Sequence, residues 1–358
     1  MLQPGNRSSD WAQLLESNRS VAEGDRSGQE AVIVPVVFGL IFVVGVVGNS
    51  LVMVVIGKAK YSLGGEGGGG GRRASSPTNI FILNLSVADL SFLLVCVPLQ
   101  ATIYSLPEWV FGAVLCKLGH YFFTASKLVS IFTLVAMSAD RYVAVVLSKK
   151  SRCVRSRRNA LVGVCVIWIL SLVCAVPVAQ HQDLITDHPS APNSTFCWEL
   201  WSGPSRRAYR VTVLLIGYLL PLLLITCCYS KVLFYLHKKM KNMSRKSERS
   251  KRKTAQTVLL VVTAFTICWM PHHIIVMWVE FGTFPLNDAT LAFCIVSHCL
   301  SYGNSCVNPV LYAFLSENFR KACRQVFTCS FLYRPPSTGT LVRLRMENFS
   351  TTHSTTPI

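Results

Sequence analysis

Seven long apolar stretches divide the chain into spans that are joined by shorter polar segments. The stretches are Ala31–Gly57, Asn79–Leu106, Cys116–Leu147, Asn159–Gln180, Val211–Ser230, Thr254–Val279 and Ala289–Ser316. Five of them contain no Asp, Glu, Lys or Arg. A run of about 20 apolar residues is the length that a helix needs to cross the roughly 30 Å hydrocarbon layer of a bilayer. A soluble protein would need seven helices without a polar face, so the pattern predicts an all-α membrane protein with a seven-transmembrane helix bundle.

A shorter helix is predicted after the seventh span, over residues 317–329. Apolar side chains such as Phe319, Cys323 and Phe327 recur there at helical spacing, with basic residues between them. This pattern predicts a short amphipathic eighth helix on the inner membrane surface. Cys323 and Cys329 are candidate palmitoylation sites, because they lie next to that surface.

The seven spans are predicted to form a single domain, residues 31–316, with a tail on each side. Residues 1–30 precede the domain as an extracellular glycosylated tail. Residues 330–358 are rich in Ser and Thr and are expected to form a disordered cytoplasmic tail, which could be phosphorylated.

The distribution of basic residues predicts which side of the membrane each loop faces. The net charge is +18, and basic residues crowd the segments after the first, third and fifth spans. Lys and Arg are retained on the cytoplasmic side, so we expect a multi-pass plasma-membrane protein with an extracellular N-terminus. The positive charge then reflects topology and contact with membrane lipids, and nucleic-acid binding is not needed to explain it.

Cysteines and glycosylation signals agree with this topology. Of the 14 Cys, the clear candidates for the outer side are Cys116, at the top of the third span, and Cys197, in the loop after the fourth. A disulfide between them would hold that loop over the mouth of the bundle. The sequons at Asn6, Asn18 and Asn193 also fall outside, where they can carry glycans.

Polar side chains inside the spans are costly in hydrocarbon and should face the bundle interior. Those near the middle or inner half of their spans are Asn49, Asp89, Ser130, Asn304, Ser305 and Asn308. A buried carboxylate among hydroxyl and amide oxygens either holds a small cation or stays protonated and hydrogen-bonded. The residues alone leave both interpretations open.

Short motifs occur once per span, in a fixed order. They are Gly48-Asn49, Leu85-Ser86-Val87-Ala88-Asp89, Asp140-Arg141-Tyr142, Trp168, the pair Pro221 and Tyr229, Cys268-Trp269-Met270-Pro271, and Asn308-Pro309-Val310-Leu311-Tyr312. Together they resemble the rhodopsin-like (class A) family of G protein-coupled receptors, which are not enzymes. No other cofactor is implied than an allosteric sodium ion.

The resemblance implies roles for specific side chains. It implies a sodium pocket formed by Asp89, Ser130, Asn304, Ser305 and Asn308. It implies activation-switch residues, which are Asp140, Arg141, Tyr142, Trp269, Pro271, Tyr229, Pro309 and Tyr312. Among these, Trp269 would sense the ligand and Arg141 would contact the G protein.

The outer halves of the spans indicate the class of ligand. Phe123 stands where amine receptors carry an Asp, and the seventh span has no Lys to attach retinal. The same region forms a wide, aromatic and His-rich vestibule that suits the end of a peptide. Its residues are Gln100, Tyr104, His120, Phe123, His272, His273, His298 and Tyr302, roofed by His181, Trp198, Glu199, Glu280 and Phe281.

Longer stretches resemble the galanin receptors, with the type 1 pattern nearest. They include His120-Tyr121-Phe122-Phe123-Thr124, Phe196-Cys197-Trp198-Glu199 and Pro271-His272-His273-Ile274-Ile275. The resemblance implies a galanin-type neuropeptide, Gi/o coupling that lowers cyclic AMP, and receptor kinases and arrestin as further partners. It also carries over His273, Glu280 and Trp198 as peptide contacts.

Three departures from the type 1 pattern leave a related peptide, such as spexin, as an alternative ligand. Val276 replaces a His, Leu291 a Phe and Cys294 an Arg, at positions that the type 1 pattern uses for ligand.

Lys127 is a fourth departure, where we expect an apolar residue. It shares the inward face of the third span with Phe123 and Ser130. Its nearest plausible acid is Asp89, so our hypothesis is that Lys127 replaces the sodium ion or competes with it. A tolerated neutral lysine is the alternative.

Arg141 carries a separate expectation. In some relatives an acid at the inner end of helix six holds this Arg in the resting state, but here that end reads Lys251-Arg252-Lys253-Thr254. Positive charges would repel Arg141, so we expect it to rest on Asp140 with help from Thr254. The prediction is higher basal signalling than in a Lys251→Glu variant.

Two rival classes are weaker. An ion-conducting channel or transporter could use Asp89 and Lys127 as a pathway, but the chain has no internal repeat. An enzyme is disfavoured because no nucleophile or metal-ligand spacing occurs; the adjacent His272 and His273 point to different faces of a helix.

Overall fold

Seven long helices form the fold in the computed structural model. The structure describes residues 26–62, 77–147, 151–188, 191–239, 245–285, 287–315, 319–320 and 323–324. The helices are α1 (Arg26–Ser62), α2 (Pro77–Ser105), α3 (Gly112–Val145), α4 (Arg157–His181), α5, α6 (Arg245–Phe281) and α7 (Asp288–Leu315). Helix α5 consists of Pro204–Leu214, the π-helical segment Leu215–Leu219 and Leu220–Lys239. A one-turn helix, Ser151–Val154, precedes α4.

Helix α7 differs from the other six in composition. In the described part of the chain, α1 to α6 are both long and apolar enough to cross a membrane. Helix α7 has 28 residues, which is also long enough at about 1.5 Å per residue. It is less apolar because it buries Ser297, Ser301, Asn304, Ser305 and Asn308 in the bundle. The seven predicted spans therefore correspond to seven helices, and the last of them turns a row of polar side chains inward.

Apolar side chains lie on the outside of the bundle as well as in its core. Phe265 and Leu134 are almost fully buried, whereas Leu223 is 60% and Phe314 73% exposed. Contiguous exposed apolar surface of this kind is unfavourable in water. It is the surface expected of a protein whose outer face contacts lipid tails.

Helix α3 occupies the centre of the bundle. It packs against α2, α4, α5 and α6, while α7 packs against α1, α2 and α6. Inward side chains on α3 therefore reach several helices at once. This position explains why Phe123, Lys127 and Arg141, at three levels of α3, each contact another helix.

A β-hairpin covers the outer end of the bundle, which the all-α prediction did not include. Strands β1 (Gln182–His188) and β2 (Ala191–Glu199) pair antiparallel, with Leu184 opposite Cys197. The Trp109 amide donates to the Thr195 carbonyl at 2.7 Å, which ties β2 to the loop between α2 and α3. The hairpin lies outside the spans, so the span pattern could not predict it.

The π-helical segment in α5 is a second local feature that the sequence did not indicate. It ends just before Pro221, whose ring removes a backbone donor. The segment buries Tyr218, and the Tyr218 hydroxyl donates to the Thr266 carbonyl of α6 at 2.9 Å. Single π turns often mark functional positions in helices, and this one fixes α5 against α6.

Several predicted features lie wholly or partly outside the described residues. Of the predicted eighth helix, residues 319–320 and 323–324 are described and are helical, and the Phe319 ring packs 6.5 Å from Tyr312. Asn6, Asn18, Cys329 and the C-terminal tail lie outside the description, as does the side chain of Asn193 in β2.

Candidate functional site

The outer vestibule predicted from the sequence is a cleft between α2, α3 and α7. Gln100, His120, Phe123 and Tyr302 line one cavity there. The Tyr302 hydroxyl donates to Gln100 Oε1 at 3.0 Å. A second hydrogen bond, 2.7 Å long, joins the Tyr104 hydroxyl to His298 Nδ1. Both bonds connect α2 to α7, so these polar groups hold the two walls of the vestibule together.

The floor of the vestibule is a cluster of aromatic rings from α3, α6 and α7. The Phe123 ring centroid lies 5.5 Å from Trp269, 5.6 Å from His272 and 5.4 Å from Tyr302. Such tilted and edge-to-face contacts are favourable beyond the area they bury. A ligand group that displaces Phe123 must therefore also move Trp269.

His273 lies beside this cluster, between His272 and Tyr218 of α5. Its ring centroid lies 4.6 Å from the Tyr218 ring, and its side chain is buried. Within the described part of the chain, His273 Nε2 has no hydrogen-bond partner. The two adjacent histidines thus face different neighbours, as their sequence positions predicted, and both remain near the vestibule.

Ion pairs close the mouth of the vestibule between β2, α5 and α6. Arg206 Nε lies 2.9 Å from Glu280 Oε1 and 3.4 Å from Glu199 Oε1, and Arg210 pairs with the other oxygen of Glu199. Glu199 and Glu280 were predicted from the sequence to roof the vestibule, but the two arginines were not, because no spacing rule connects them to those acids.

The predicted roof residues are only partly brought together. Trp198 lies in β2, half-buried and opposite Asp183, and His181 stacks on Trp201 at 4.0 Å. Phe281 is the last residue of α6 and is 60% exposed.

A disulfide between Cys116 and Cys197 joins α3 to β2, as expected. Beside it, the Asp183 carboxylate accepts from the backbone N–H of Leu184 at 2.9 Å and from Lys117 at 3.4 Å. These two contacts, the backbone bond first, lower the pKa of Asp183 from its usual value. The hairpin is therefore attached to the top of α3 both covalently and by a charge pair.

The predicted sodium pocket is centred on Asp89, which is almost completely buried. Ser305 donates to Asp89 Oδ1 at 2.9 Å, and the Asn308 amide donates to Oδ2 at 2.8 Å. Ser130 and Asn304 are buried as well, but among the described residues neither hydrogen-bonds to Asp89. The structure thus brings α2 and α7 together at the carboxylate.

Asn49 adds an oxygen near this level of the bundle. Its amide donates to the carbonyls of Gly45 and Ser305, each at 2.9 Å, while its Oδ1 is buried without a partner in the described residues. Gly48 permits the approach of α7, because a Cβ there would lie 2.9 Å from Pro309. Hydrogen bonds through Ser305 therefore link the Asp89 carboxylate to Asn49. Carboxylate, hydroxyl and amide oxygens are the ligand types that hard cations prefer.

Lys127 does not make the ion pair that the sequence suggested. Its side chain is buried, and its Nζ lies 5.0 Å from the centroid of the Trp269 ring, a cation–π contact. No hydrogen bond or ion pair joins it to Asp89 in the ranges that the structure describes. Asp89 accepts hydrogen bonds from two α7 side chains, and Lys127 contacts the ring face of Trp269.

The Asp140-Arg141-Tyr142 motif lies at the inner end of α3. Arg141 pairs with Asp140, as expected, and its second partner is the Thr78 hydroxyl at the start of α2. The side chain of Thr254 is outside the described residues. Arg155, just after the one-turn helix, also donates to Asp140, with Nε 2.6 Å from Oδ1. The contacts of Thr78 and Arg155 with Asp140 were not predicted, because neither residue belongs to a motif.

The two predicted activation tyrosines are buried near this motif and near Asp89. Tyr229 in α5 and Tyr312 in α7 are each 4% exposed, and among the described residues their hydroxyls complete no hydrogen bond. Pro271 lies inside α6 and Pro309 inside α7. Buried hydroxyls without partners are costly, so each tyrosine gains a hydrogen bond if it moves to a new acceptor.

Two of the three departures at predicted ligand positions make the outer part of the bundle less polar. Val276 and Leu291 are half-buried, and Cys294 is 9% exposed. Val276 and Cys294 cannot donate a strong hydrogen bond where the type 1 pattern has His and Arg, whereas Leu291 replaces one apolar residue with another.

Comparisons with known proteins cover most of the chain. Residues 48–312 match the family described as 7 transmembrane receptor (rhodopsin family). The chain is 59% identical over 303 residues to galanin receptor type 1 of Homo sapiens, covering 84% of this chain and 83% of that protein. It is 55% identical over 329 residues to galanin receptor type 1 of Rattus norvegicus, covering 92% and 91%. Galanin receptor type 2 of Rattus norvegicus is 43% identical over 317 residues, covering 87% and 80%.

The family match runs from Gly48 in α1 to Tyr312 in α7, so it spans the whole helix bundle together with the floor cluster, the Asp89 pocket and the Arg141 contacts. Its members are receptors, which confirms that the chain is not an enzyme. The protein therefore belongs to the rhodopsin family of seven-transmembrane receptors.

Proposed function

We propose that the protein is a G protein-coupled receptor for galanin that couples to Gi/o and lowers cyclic AMP. The observation that carries the proposal is the 55–59% identity to galanin receptor type 1 over most of the chain. The vestibule supports it, since its aromatic floor and polar walls suit the end of a peptide with an aromatic side chain. His273, Glu280 and Trp198 are the proposed peptide contacts.

The geometry suggests how binding reaches the cytoplasmic side. A peptide group at the floor contacts Phe123, whose ring packs on Trp269 of α6. Movement of Trp269 displaces α6, which packs against α3 and α5. The inner end of α3 carries Arg141, so a shift of α6 opens the surface at which Arg141 meets a G protein. The peptide favours this state only by the difference in its affinity for the two arrangements.

Binding of radiolabelled galanin, with cyclic AMP measured in the same cells, tests the proposal. We expect saturable binding and a fall in cyclic AMP that pertussis toxin abolishes, because the toxin blocks Gi/o. Arg141→Ala serves as a matched control that keeps the vestibule, so it should bind galanin without lowering cyclic AMP. Absence of saturable galanin binding at wild-type surface expression would contradict the ligand, and a toxin-resistant response would contradict the coupling.

A related peptide such as spexin is the second candidate ligand. Val276, Leu291 and Cys294 favour it, because Val276 and Cys294 remove polar groups from the outer vestibule and Leu291 replaces an aromatic ring. Spexin that displaces radiolabelled galanin with higher affinity than unlabelled galanin would identify it as the preferred ligand.

Location and modifications complete the proposal. We infer a plasma-membrane receptor with its N-terminus outside, glycans on Asn6, Asn18 and Asn193, and palmitate on Cys323 and Cys329. The disulfide between α3 and the hairpin supports an oxidising outer side. Receptor kinases and arrestin are the proposed partners of the Ser- and Thr-rich tail.

A sodium ion at Asp89 is the proposed allosteric cofactor. Asp89 would supply the charge, and Ser305, Ser130, Asn304 and Asn308 would supply neutral oxygens. The unsatisfied Oδ1 of Asn49 supports a site with oxygen ligands. A bound cation would hold α2 and α7 in the resting arrangement.

Sodium is expected to lower agonist affinity severalfold in the wild-type protein and to have no effect in Asp89→Asn. The substitution keeps the side-chain shape but removes the charge that a cation needs. If Lys127 competes with sodium, Lys127→Met will show a larger sodium effect than the wild type. The measurement is galanin competition binding with NaCl or N-methyl-D-glucamine chloride at equal ionic strength. A sodium effect that survives in Asp89→Asn excludes the site, and equal effects in the wild type and Lys127→Met exclude the competition.

A further inference from the structure

Lys127 is a buried lysine on the floor of the vestibule, and in the part of the chain that the structure describes it has no acid as a partner. It is 4% exposed, and its Nζ lies over the Trp269 ring. The acids around the bundle interior and mouth already have partners. Asp89 accepts from Ser305 and Asn308, and Glu199 and Glu280 pair with arginines. A buried ammonium without a counter-ion is unfavourable, and a ring face offsets only part of that cost.

Two further nitrogens near Lys127 lack an acceptor. In the described part of the chain, Trp269 Nε1 and His273 Nε2 are buried and have no hydrogen-bond partner. Both are connected to Lys127 through the floor cluster, since Trp269 packs 5.7 Å from His272 and His272 packs 5.6 Å from His273. The indole N–H is always a donor, and Nε2 of a histidine becomes one when it carries the proton. The floor therefore has a surplus of donors and positive charge.

The floor is next to the space that a ligand enters. Phe123 lies one helical turn above Lys127 on the same face of α3 and lines the cavity between α2, α3 and α7. Its ring also packs on Trp269. Beyond Phe123 lie the Trp269 ring and, over that ring, Lys127.

We propose that Lys127, with Trp269 Nε1 and His273 Nε2, forms a subsite for a carboxylate of the ligand. A carboxylate has two acceptor oxygens and no donor, which complements three donors and one positive charge. Its aromatic neighbours indicate an acid attached to an aromatic group. The proposal rests on the proposed function only in taking the vestibule as the ligand site, and it specifies the charge of the group that reaches the floor.

The test uses two small probes that differ only in charge, indole-3-acetate and indole-3-acetamide. Each is added to the purified full-length receptor, and the apparent dissociation constant is obtained from the increase in melting temperature with probe concentration. We expect the acid to bind about tenfold or more tightly than the amide, because a charge-assisted bond in a buried site is stronger than a neutral one. The acid should also displace radiolabelled galanin more strongly than the amide.

Variants identify the residue responsible. Lys127→Met and Lys127→Gln should abolish the preference for the acid, and Trp269→Phe should reduce it while keeping a ring under the ammonium. Lys117→Met is the matched control, because Lys117 lies on the same helix but pairs with Asp183 at the half-exposed top. It should keep the full preference.

The outcomes separate this proposal from the proposed function. Equal affinities for acid and amide, or an acid preference that persists in both Lys127 variants, would overturn the carboxylate subsite. If the preparation fails to bind galanin but shows the Lys127-dependent acid preference, the subsite stands and galanin is the wrong ligand. If galanin binds and the preference is absent, the subsite is wrong and the receptor assignment stands.

Discussion

Asp140→Asn is expected to raise agonist-independent G protein activation about tenfold. In the resting arrangement the Asp140 carboxylate holds Arg141 and also accepts from Arg155 and Thr78. A hydrogen bond to a charged group contributes about 1.5–3 kcal/mol, and about 1.4 kcal/mol is tenfold in an equilibrium constant. Asparagine keeps the shape but loses the charge. Arg141 is then free to turn toward the G protein in a larger fraction of molecules.

The measurement is GTPγS binding in membranes without agonist, normalised to receptor number. Arg155→Gln is the matched control, since it removes an ion pair from the same carboxylate but leaves the pair between Asp140 and Arg141. Its basal activity should stay close to that of the wild type. If both variants raise basal activity equally, Asp140 acts by holding the segment before α4 and not by restraining Arg141.

A second variant tests the same restraint from α6. Lys251→Glu introduces an acid near the inner end of α6, where the sequence reads Lys251-Arg252-Lys253-Thr254. An added carboxylate there should attract Arg141 and lower basal activation below that of the wild type. Wild-type basal activity no higher than that of Lys251→Glu would mean that Asp140 and Thr78 already hold Arg141 fully.

Much of the bundle could be predicted because polar groups are costly in lipid, and this cost restricts which residue types each span contains. The seven apolar stretches correspond to seven helices, and the buried polar residues of α7 lie inward, as expected from that cost. The disulfide also followed from topology, since Cys116 and Cys197 were the clear cysteines on the oxidising side.

Contacts between distant parts of the chain could not be predicted in this way. Arg155 and Thr78 converge on Asp140 only after the inner end of α3 is packed. Lys127 was expected to pair with Asp89, but it contacts the Trp269 ring. The partners of Asp89 come from α7, more than 200 residues away in sequence. The hairpin and the π-helical segment depend on local backbone hydrogen bonds that hydrophobic spacing does not record.

At the mouth of the vestibule, one residue of an ion pair was predicted from the sequence and the other was not. Glu280 was predicted as a peptide contact, and the structure adds Arg206 at 2.9 Å as its intramolecular partner. The pair is well shielded, with side-chain exposures of 14% for Arg206 and 6% for Glu280. Removing one member of a buried pair costs about 3–5 kcal/mol, because the other charge stays buried. The shape of the mouth should therefore depend on both residues.

Arg206→Ala is expected to weaken galanin binding about 100-fold, because it removes the cation that lies between Glu280 and Glu199, and Glu280→Ala is expected to weaken it less, because Arg206 keeps Glu199. A loss of about 3 kcal/mol corresponds to two decades in affinity if it falls on the state that binds the peptide. The measurement is competition binding at equal surface expression, with thermal stability of the purified receptor as a second readout. Arg207→Ala is the control, because Arg207 is exposed and makes none of the described ion pairs at the mouth. Its affinity should change less than twofold, as for other surface substitutions (about 0.5 kcal/mol or less).

The double variant decides how Glu280 acts. If the ion pair positions the mouth, Glu280→Ala combined with Arg206→Ala will lose little more than Arg206→Ala alone, because the two residues act as one unit. If Glu280 binds the peptide directly, Glu280→Ala will lose affinity, Arg206→Ala will lose little or none, and the two effects will add. Equal losses in Arg207→Ala would contradict both.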